Sequence, residues 1–226
     1  MEKLKKKIIQ AVDAYKSGNL SEAEQMAKKL IIANPKVVFL YNLLGLILVD
    51  QKKINQALEC YEKGIKIDPS FAMIYNNLGL LFYNYKYNGN AKKVEDLYKK
   101  SISLKQNIPE PHSNLGNLYN ALNRPDEAIY SYKKAIDINP KFSIAFLNLA
   151  SVYVSLGKFR EAEKELKTAI NLSPNLIHAH RLLSRIIKYS ENHEHLAVLK
   201  KLHKETRINN IENKLLLAFS LGKACE

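Results

Sequence analysis

The sequence predicts an all-α fold, a solenoid of antiparallel helical hairpins stacked one on another. Three observations predict it. The chain repeats itself with a period of 34 residues, the length of one helix–turn–helix unit. Small side chains recur at two fixed places in the period, where paired helices must approach to about 8–10 Å. Proline recurs at the end of the period, where a helix has to stop.

Segments Val38–Phe71, Pro109–Phe142 and Ser143–Leu176 align without a gap at 34 residues each. Leu4–Val37 fits the same register more loosely, and Ala72–Ile108 fits it with three extra residues. The eighth position of successive units holds Ala11, Gly45, Gly79, Gly116 and Ala150; the twentieth holds Ala23, Ala57, Val94, Ala128 and Ala162. Bulky residues stand beside the small ones on the first helix: Leu44, Leu78, Leu115 and Leu149, then Leu48, Phe82, Tyr119 and Tyr153. On the second helix Tyr61, Tyr98, Tyr132 and Leu166 are expected to fill the gap to the next unit. These spacings of three and four are helical. Pro35, Pro69, Pro140 and Pro174 close the second helices, each after a turn former: Asn34, Asp68, Asn139 and Ser173. Gly18 and Gly157 break the chain within a hairpin, and Pro125 suits the first turn of a second helix.

The five units resemble tetratricopeptide (TPR) repeats, over about three quarters of the chain. The resemblance implies a right-handed superhelix of α-α hairpins whose inner surface is lined by first helices, the usual binding surface of the family. The expected array covers residues 1–189: repeats at about 4–37, 38–71, 72–108, 109–142 and 143–176, then the first helix of a degenerate sixth at 177–189. Residues 190–226 are expected to form degenerate C-terminal helices.

The pattern breaks in two places. In the third unit Gln106 replaces the closing proline, and three residues are inserted near Asn84–Asn90, beside Tyr83, Tyr85 and Tyr87. The insertion is expected to lengthen the first helix or its turn, which a surface loop tolerates cheaply. After about Tyr189 the phase fails. A polar loop over Glu191–His195 precedes a helix with Leu196, Val198, Leu199 and Leu202, and Arg207–Asn210 is a break. Lys214–Cys225 then reads as a further first helix, with Leu221 and Gly222 placed as Leu115 and Gly116 are. It is either a cap or the start of another hairpin. The run Leu215–Ala224 with the helix before it resembles the junction in bacterial TPR–sulfotransferase proteins, where a repeat array precedes a catalytic domain.

The sixth position of three successive units holds Asn77, Asn114 and Asn148. With Asn42, Asn76, Asn117 and Asn120 nearby, they predict a row of amides on the inner wall. An amide offers both a donor and an acceptor, so it can pair with a peptide backbone. The row is similar to the asparagine ladder in the TPR region of O-linked N-acetylglucosamine transferase. Three net hydrogen bonds of about 0.5–1.5 kcal/mol each cannot reach the roughly 8 kcal/mol of micromolar binding. Apolar contacts from Phe39, Leu46, Met73, Leu80 and Ile144 would have to supply the rest. Arg181, Arg185 and Lys188, spaced four and three, predict one basic stripe on the sixth first helix, suited to a carboxylate or phosphate. The full pattern of the TPR clamp for chaperone C-termini is not met.

Composition narrows the function classes. No motif for nucleotide phosphates, a nucleophilic serine or a zinc protease occurs, so no catalysis and no cofactor are expected. Five of the six histidines lie within His178–His203, but no three or four converge as metal ligands would. His180 is expected to replace a bulky inter-repeat residue, and His193 and His195 to lie in a loop. Cys60 and Cys225, far apart, predict neither a disulfide scaffold nor a zinc site. No apolar run is long enough to span a bilayer, and the lysines at 3 and 5–7 precede no signal-peptide core. A cytoplasmic protein is expected. A net charge of +13 permits nucleic acid or another polyanion as ligand, but dispersed lysine usually marks a solvated face. The expected partner is a protein or an extended peptide, with self-association through Leu216, Leu217 and Leu221 of the terminal helix as a further possibility.

Overall fold

The computed structural model describes residues 2–85, 90–189, 193–206 and 211–225. Every regular element among them is an α-helix. The chain divides into two compact units, Met1–Leu118 and Tyr119–Glu226.

The first unit holds α1 (Glu2–Lys16), α2 (Leu20–Ala33), α3 (Val38–Asp50), α4 (Ile54–Ile67), α5 (Ala72–Tyr85) and α6 (Ala91–Leu104), and most of α7 (Pro109–Ala121). Each helix from α1 to α5 packs on the next, and α3 also touches α5. The small residues lie where the period demands them: Ala11, Ala23 and Ala57 are fully buried. At Gly45 a Cβ would meet the Tyr61 ring at 2.2 Å, and at Gly79 the Tyr98 ring at 2.7 Å. Both tyrosines are fully buried, each against the glycine of its own hairpin, where sequence reading expected it to fill the gap to the next unit. The interhelical seam is therefore a tyrosine face laid on bare backbone.

Among the described residues, the turns within the first, second, fourth and fifth hairpins each have a left-handed residue at position fifteen. Gly18 and Gly157 supply it at φ +82° and +71°. Lys52 and Asn123 adopt the same conformation at φ +63° and +55° without glycine's freedom. Between hairpins the chain is extended at Asp68, Lys105 and Asn139, so the third unit turns without a proline. The inserted stretch lengthens α5 to 14 residues against 13 in α3, α7 and α9. Tyr87, Asn88 and Gly89 lie outside the described residues.

The second unit holds α8 (Pro125–Ile138), α9 (Ser143–Ser155), α10 (Phe159–Leu172), α11 (Ile177–Ile186), α12 (Glu194–Glu205) and α13 (Ile211–Cys225). Pro125 opens α8 as expected. Tyr132 and Leu166 are buried. The sixth first helix stops at Ile186, three residues short of expectation, because Ile187 is extended. The helix α13 packs on both α11 and α12 and buries Leu217, Ser220 and Ala224. Leu217, Leu196, Leu199, Leu202 and Ile177 form one core, with Leu216 and Leu221 packed against it. Gly222 does not repeat the role of the position-eight glycines: a Cβ there meets nothing within 4 Å. The reason is that no second helix lies over it among the described residues. The expected break at Arg207–Asn210, and Glu191, lie outside those residues.

Candidate functional site

The predicted amides come together, but as partners of one another. Asn77 Nδ2 donates to Asn42 Oδ1 at 2.8 Å, and Asn76 Nδ2 donates to Asn77 Oδ1 at 3.2 Å. Asn114 Nδ2 donates to Asn76 Oδ1 at 2.9 Å. Position six of one first helix thus bonds position five of the first helix before it, twice in succession. The chain of amides stitches α7 to α5 and α5 to α3. Asn42, Asn76 and Asn77 are buried, while Asn114 and Asn117 are half-buried. This corrects the expectation of an open row at Asn42, Asn76 and Asn77. Buried polar groups must be paired, and here each amide is satisfied by its neighbour. Around them Phe39 is exposed and Met73 and Leu80 are half-buried.

Asn148 belongs to a different setting. It lies on α9 of the second unit and lines a cleft of about 370 Å³ with Leu147, Ser151, His178, Arg181, Leu182 and Arg185. The cleft runs between α9 and α11, whose surfaces touch. Here the position-six and position-five pair is Leu182 and Leu147, so no amide bond can form between them. Arg181 and Arg185, one turn apart, rim the cleft. Neither pairs with a carboxylate among the described residues, and no carboxylate lines it. Lys188 lies beyond the end of α11, so the expected three-residue stripe is a pair of arginines. Ile144 begins the same face of α9 and is exposed. Ser151 and His178 were missed from sequence. Their signal was positional: they occupy the ninth and second positions, on the same face as Leu46 and Phe39.

The histidines form a second cluster. His180 is fully buried. It holds the fourth position, taken by Tyr41 and Tyr75 in earlier units. Tyr41 Oη and Tyr75 Oη donate to the carbonyls of Pro35 and Pro69 at 3.1 and 3.0 Å, six residues back. His180 Nε2 makes the same bond to Pro174 O at 2.8 Å, so it replaces a bulky inter-repeat residue as expected. His195 is not in a loop. It sits in the first turn of α12, buried, where its Nε2 meets His180 Nδ1 at 2.9 Å and its Nδ1 meets Tyr189 Oη at 2.6 Å. The imidazoles stack with centroids 5.2 Å apart. His193 precedes the helix and its Nδ1 accepts from the His195 backbone N–H at 3.1 Å.

The hydrogens of this relay follow from one fixed end. Pro174 O can only accept, so His180 carries its proton on Nε2. His180 Nδ1 then accepts from His195 Nε2, and His195 Nδ1 accepts from the Tyr189 hydroxyl. Both rings are neutral in this arrangement. Burial lowers the pKa of His180, and burial with the neighbouring imidazoles lowers that of His195 to about 4. Burial raises Tyr189 to about 12. Among the described residues no three histidine, cysteine or acidic side chains converge to hold a metal ion. No described helix is long and apolar enough to cross a membrane. Cys60 is half-buried, and burial raises its thiol pKa.

Comparison with known proteins finds repeats of the expected kind. A family model described as "TPR repeat" matches residues 45–84, and one described as "Tetratricopeptide repeat" matches residues 119–186. No curated protein sequence matches the chain. Among solved structures, MamA is 26% identical, with 73% of this chain and 94% of that chain covered and a TM-score of 0.58. TTC0263, a thermophilic TPR protein of Thermus thermophilus, is 18% identical over 81% of this chain and 98% of its own, with a TM-score of 0.70. YrrB, described as a TPR protein with an unusual peptide-binding site, is 20% identical over 86% and 96%, with a TM-score of 0.56.

Proposed function

We propose that this chain, a tetratricopeptide-repeat protein, is a non-catalytic scaffold that binds a carboxylate-bearing peptide across the first helices α9 and α11. The observation that carries the reading is the cleft rimmed by Arg181 and Arg185, with Asn148 and Ser151 opposite and no carboxylate in its lining. Two guanidinium groups on one helix face suit a carboxylate bidentately. The amide of Asn148 and the hydroxyl of Ser151 suit a peptide backbone, and Leu147 and Leu182 suit an apolar side chain. Peptide binding by YrrB is consistent with this use of the fold.

The amide chain of the first unit then has a structural role, holding successive first helices in register. If a catalytic domain such as a sulfotransferase is attached in a longer product, the array would present its substrate. A cytoplasmic setting fits a scaffold of this kind.

The test is fluorescence anisotropy with a labelled acidic peptide ending in a free carboxylate. Arg181→Ala with Arg185→Ala is expected to weaken binding by about 1–3 kcal/mol, from roughly fivefold to a hundredfold. A double variant that binds as tightly as the parent would overturn the reading. Loss of binding that follows salt alone, irrespective of those arginines, would favour a diffuse polyanion binder instead.

A further inference from the structure

We infer that the relay of His180, His195 and Tyr189 is an acid-released latch that holds the start of α12 against α11. The relay joins three segments: His180 stands on α11, Tyr189 follows that helix, and His195 lies in the first turn of α12. A further anchor is the turn before α11, through His180 Nε2 and Pro174 O at 2.8 Å. The helix α12 packs along α13, so its polar tie to α11 runs through these rings.

Three side-chain bonds fix the first turn of α12, and each ends on an imidazole lone pair. The Tyr189 hydroxyl donates to His195 Nδ1 at 2.6 Å, His195 Nε2 donates to His180 Nδ1 at 2.9 Å, and the His195 backbone N–H donates to His193 Nδ1 at 3.1 Å. A proton on any of those acceptors takes the lone pair away. The relay can absorb one proton, on His195 Nδ1, if the Tyr189 hydroxyl turns round to accept. It has no arrangement for two. With both rings protonated all four ring nitrogens donate, and two N–H groups meet across 2.9 Å.

The surroundings disfavour a positive charge. His180 is fully buried and His195 is 8% exposed. The first turn of a helix carries partial positive charge, which opposes a cation at His195. Beside the rings lies a cavity of about 470 Å³ between α10, α11 and α12. From α10 it receives Asn171 and Lys167, the latter paired with Glu163. From α12 it receives His193 and Glu194. Glu194 is exposed and directly precedes His195, and helix neighbours one residue apart do not face each other. The inward residues of α13, Leu217, Ser220 and Ala224, do not titrate. Arg181 and Arg185 line the separate cleft toward α9. Burial accordingly lowers the pKa of both rings.

Released from each other, the rings take protons below the ordinary imidazole pKa of about 6.5. The latch therefore holds above that pH and weakens below it. From pH 7 to 5 the opening equilibrium should rise roughly twentyfold if one ring gains a proton on release, and roughly five hundredfold if both do. Opening removes the α12 wall of the cavity and bares Leu183 and Ile187 on the other side, an apolar edge covered at neutral pH and uncovered in acid.

Nuclear magnetic resonance and hydrogen exchange on the full chain test this. At pH 7 the imidazole nitrogen-15 shifts should show both rings protonated on Nε2 alone. Amide protection in α12, corrected for the intrinsic pH dependence of exchange, should fall at least roughly twentyfold from pH 7 to 5 while α9 and α10 keep theirs. His180→Gln with His195→Gln, which keeps amide donors and acceptors but no titratable ring, should lose that dependence; circular dichroism checks its fold. Level protection of α12 between the two pH values overturns the inference. So does equal loss in α9 and α10, which is general acid unfolding, or a proton on Nδ1 of either ring at pH 7. These three outcomes are read on the parent and need no variant to fold. A folded double variant that opens in acid as the parent does overturns it as well.

Discussion

Substituting alanine for glycine at two helical positions should shift stability in opposite directions. At Gly45 the added Cβ would stand 2.2 Å from Tyr61 Cε1 and 2.7 Å from both Cδ1 and Cζ. Carbon atoms in ordinary contact lie about 3.5–4.0 Å apart, so the ring must retreat by more than about 1 Å. Tyr61 is 1% exposed and has no open side to move toward. An overlap this deep belongs at the upper end of what overpacking costs, about 2–3 kcal/mol. Alanine's helix propensity returns about 0.8–1.0 kcal/mol. The net is a destabilisation of about 1–2 kcal/mol. At Gly222 a Cβ meets nothing within 4 Å, the residue is exposed, and only the propensity gain remains, about 0.5–1 kcal/mol. Urea unfolding followed by circular dichroism reads both. With an m-value near 1–3 kcal/mol/M, Gly45→Ala should unfold at roughly 0.5–1 M less urea and Gly222→Ala at slightly more. The two residues lie in different compact units, so hydrogen exchange should assign each shift to its own unit. A Gly45→Ala midpoint at or above the parent's would refute the close seam between α3 and α4, and with it the register of the stack.

Two further outcomes follow from hydrogen bonding and burial. Asn77→Ala removes the bonds to Asn42 Oδ1 and from Asn76 Nδ2 and leaves buried partners short, so it should cost about 1–3 kcal/mol; unchanged hydrogen exchange in α3 and α5 would count against the stitching role. His195, with a folded pKa depressed to about 4 and an unfolded one near 6.5, contributes stability that is present above pH 6.5 and lost as pH falls toward 4. The loss is on the order of 1–3 kcal/mol. Melting temperatures at pH 7 and 5 read the buried pair His180 and His195 together, since burial lowers both, while the salt-bridged Glu24 is held near 2 and titrates lower still. His195→Gln should flatten that limb, and a parent whose melting temperature is level between the two pH values would contradict it.

Much of the fold was legible because its determinants are periodic. Glycine and alanine at position eight, tyrosine at position twenty-four and proline after the second helix each meet a need that returns every 34 residues. The burial of Tyr61 could be read without coordinates for that reason, though not its seat on Gly45 of the same hairpin. Where the need is met by different chemistry, sequence reading failed. Lys52 and Asn123 adopt the left-handed turn that only Gly18 and Gly157 advertise. His195 looked like loop because its value lies in a partner fifteen residues away, His180, brought near only when α12 folds back. The amides were read as free because position alone gives a face, not the partner on that face. Asn77 and Asn42 are 35 residues apart, one residue off the period, and that offset pairs position six with position five.

The same offset argues for where a ligand can gain most. Between α3 and α5, and between α5 and α7, an amide stands at both members of the pair, and each is engaged by the other. A peptide laid there must break buried bonds to make new ones, so little net energy is available. Between α9 and α11 the pair is Leu147 and Leu182, which share no hydrogen bond to lose. Position five of α11 is Arg181 where α3 and α5 carry Asn42 and Asn76. The cost of stitching is absent, and two guanidinium groups without a carboxylate in the cleft remain to be neutralised. Binding energy should therefore concentrate at α9–α11. Changing Leu147 and Leu182 both to Asn would close that face as α3–α5 is closed, and should reduce acidic-peptide affinity in the anisotropy assay while leaving both arginines in place. Unchanged affinity in that variant would mean that the arginines act alone and that the helix-to-helix pair has no part in recognition.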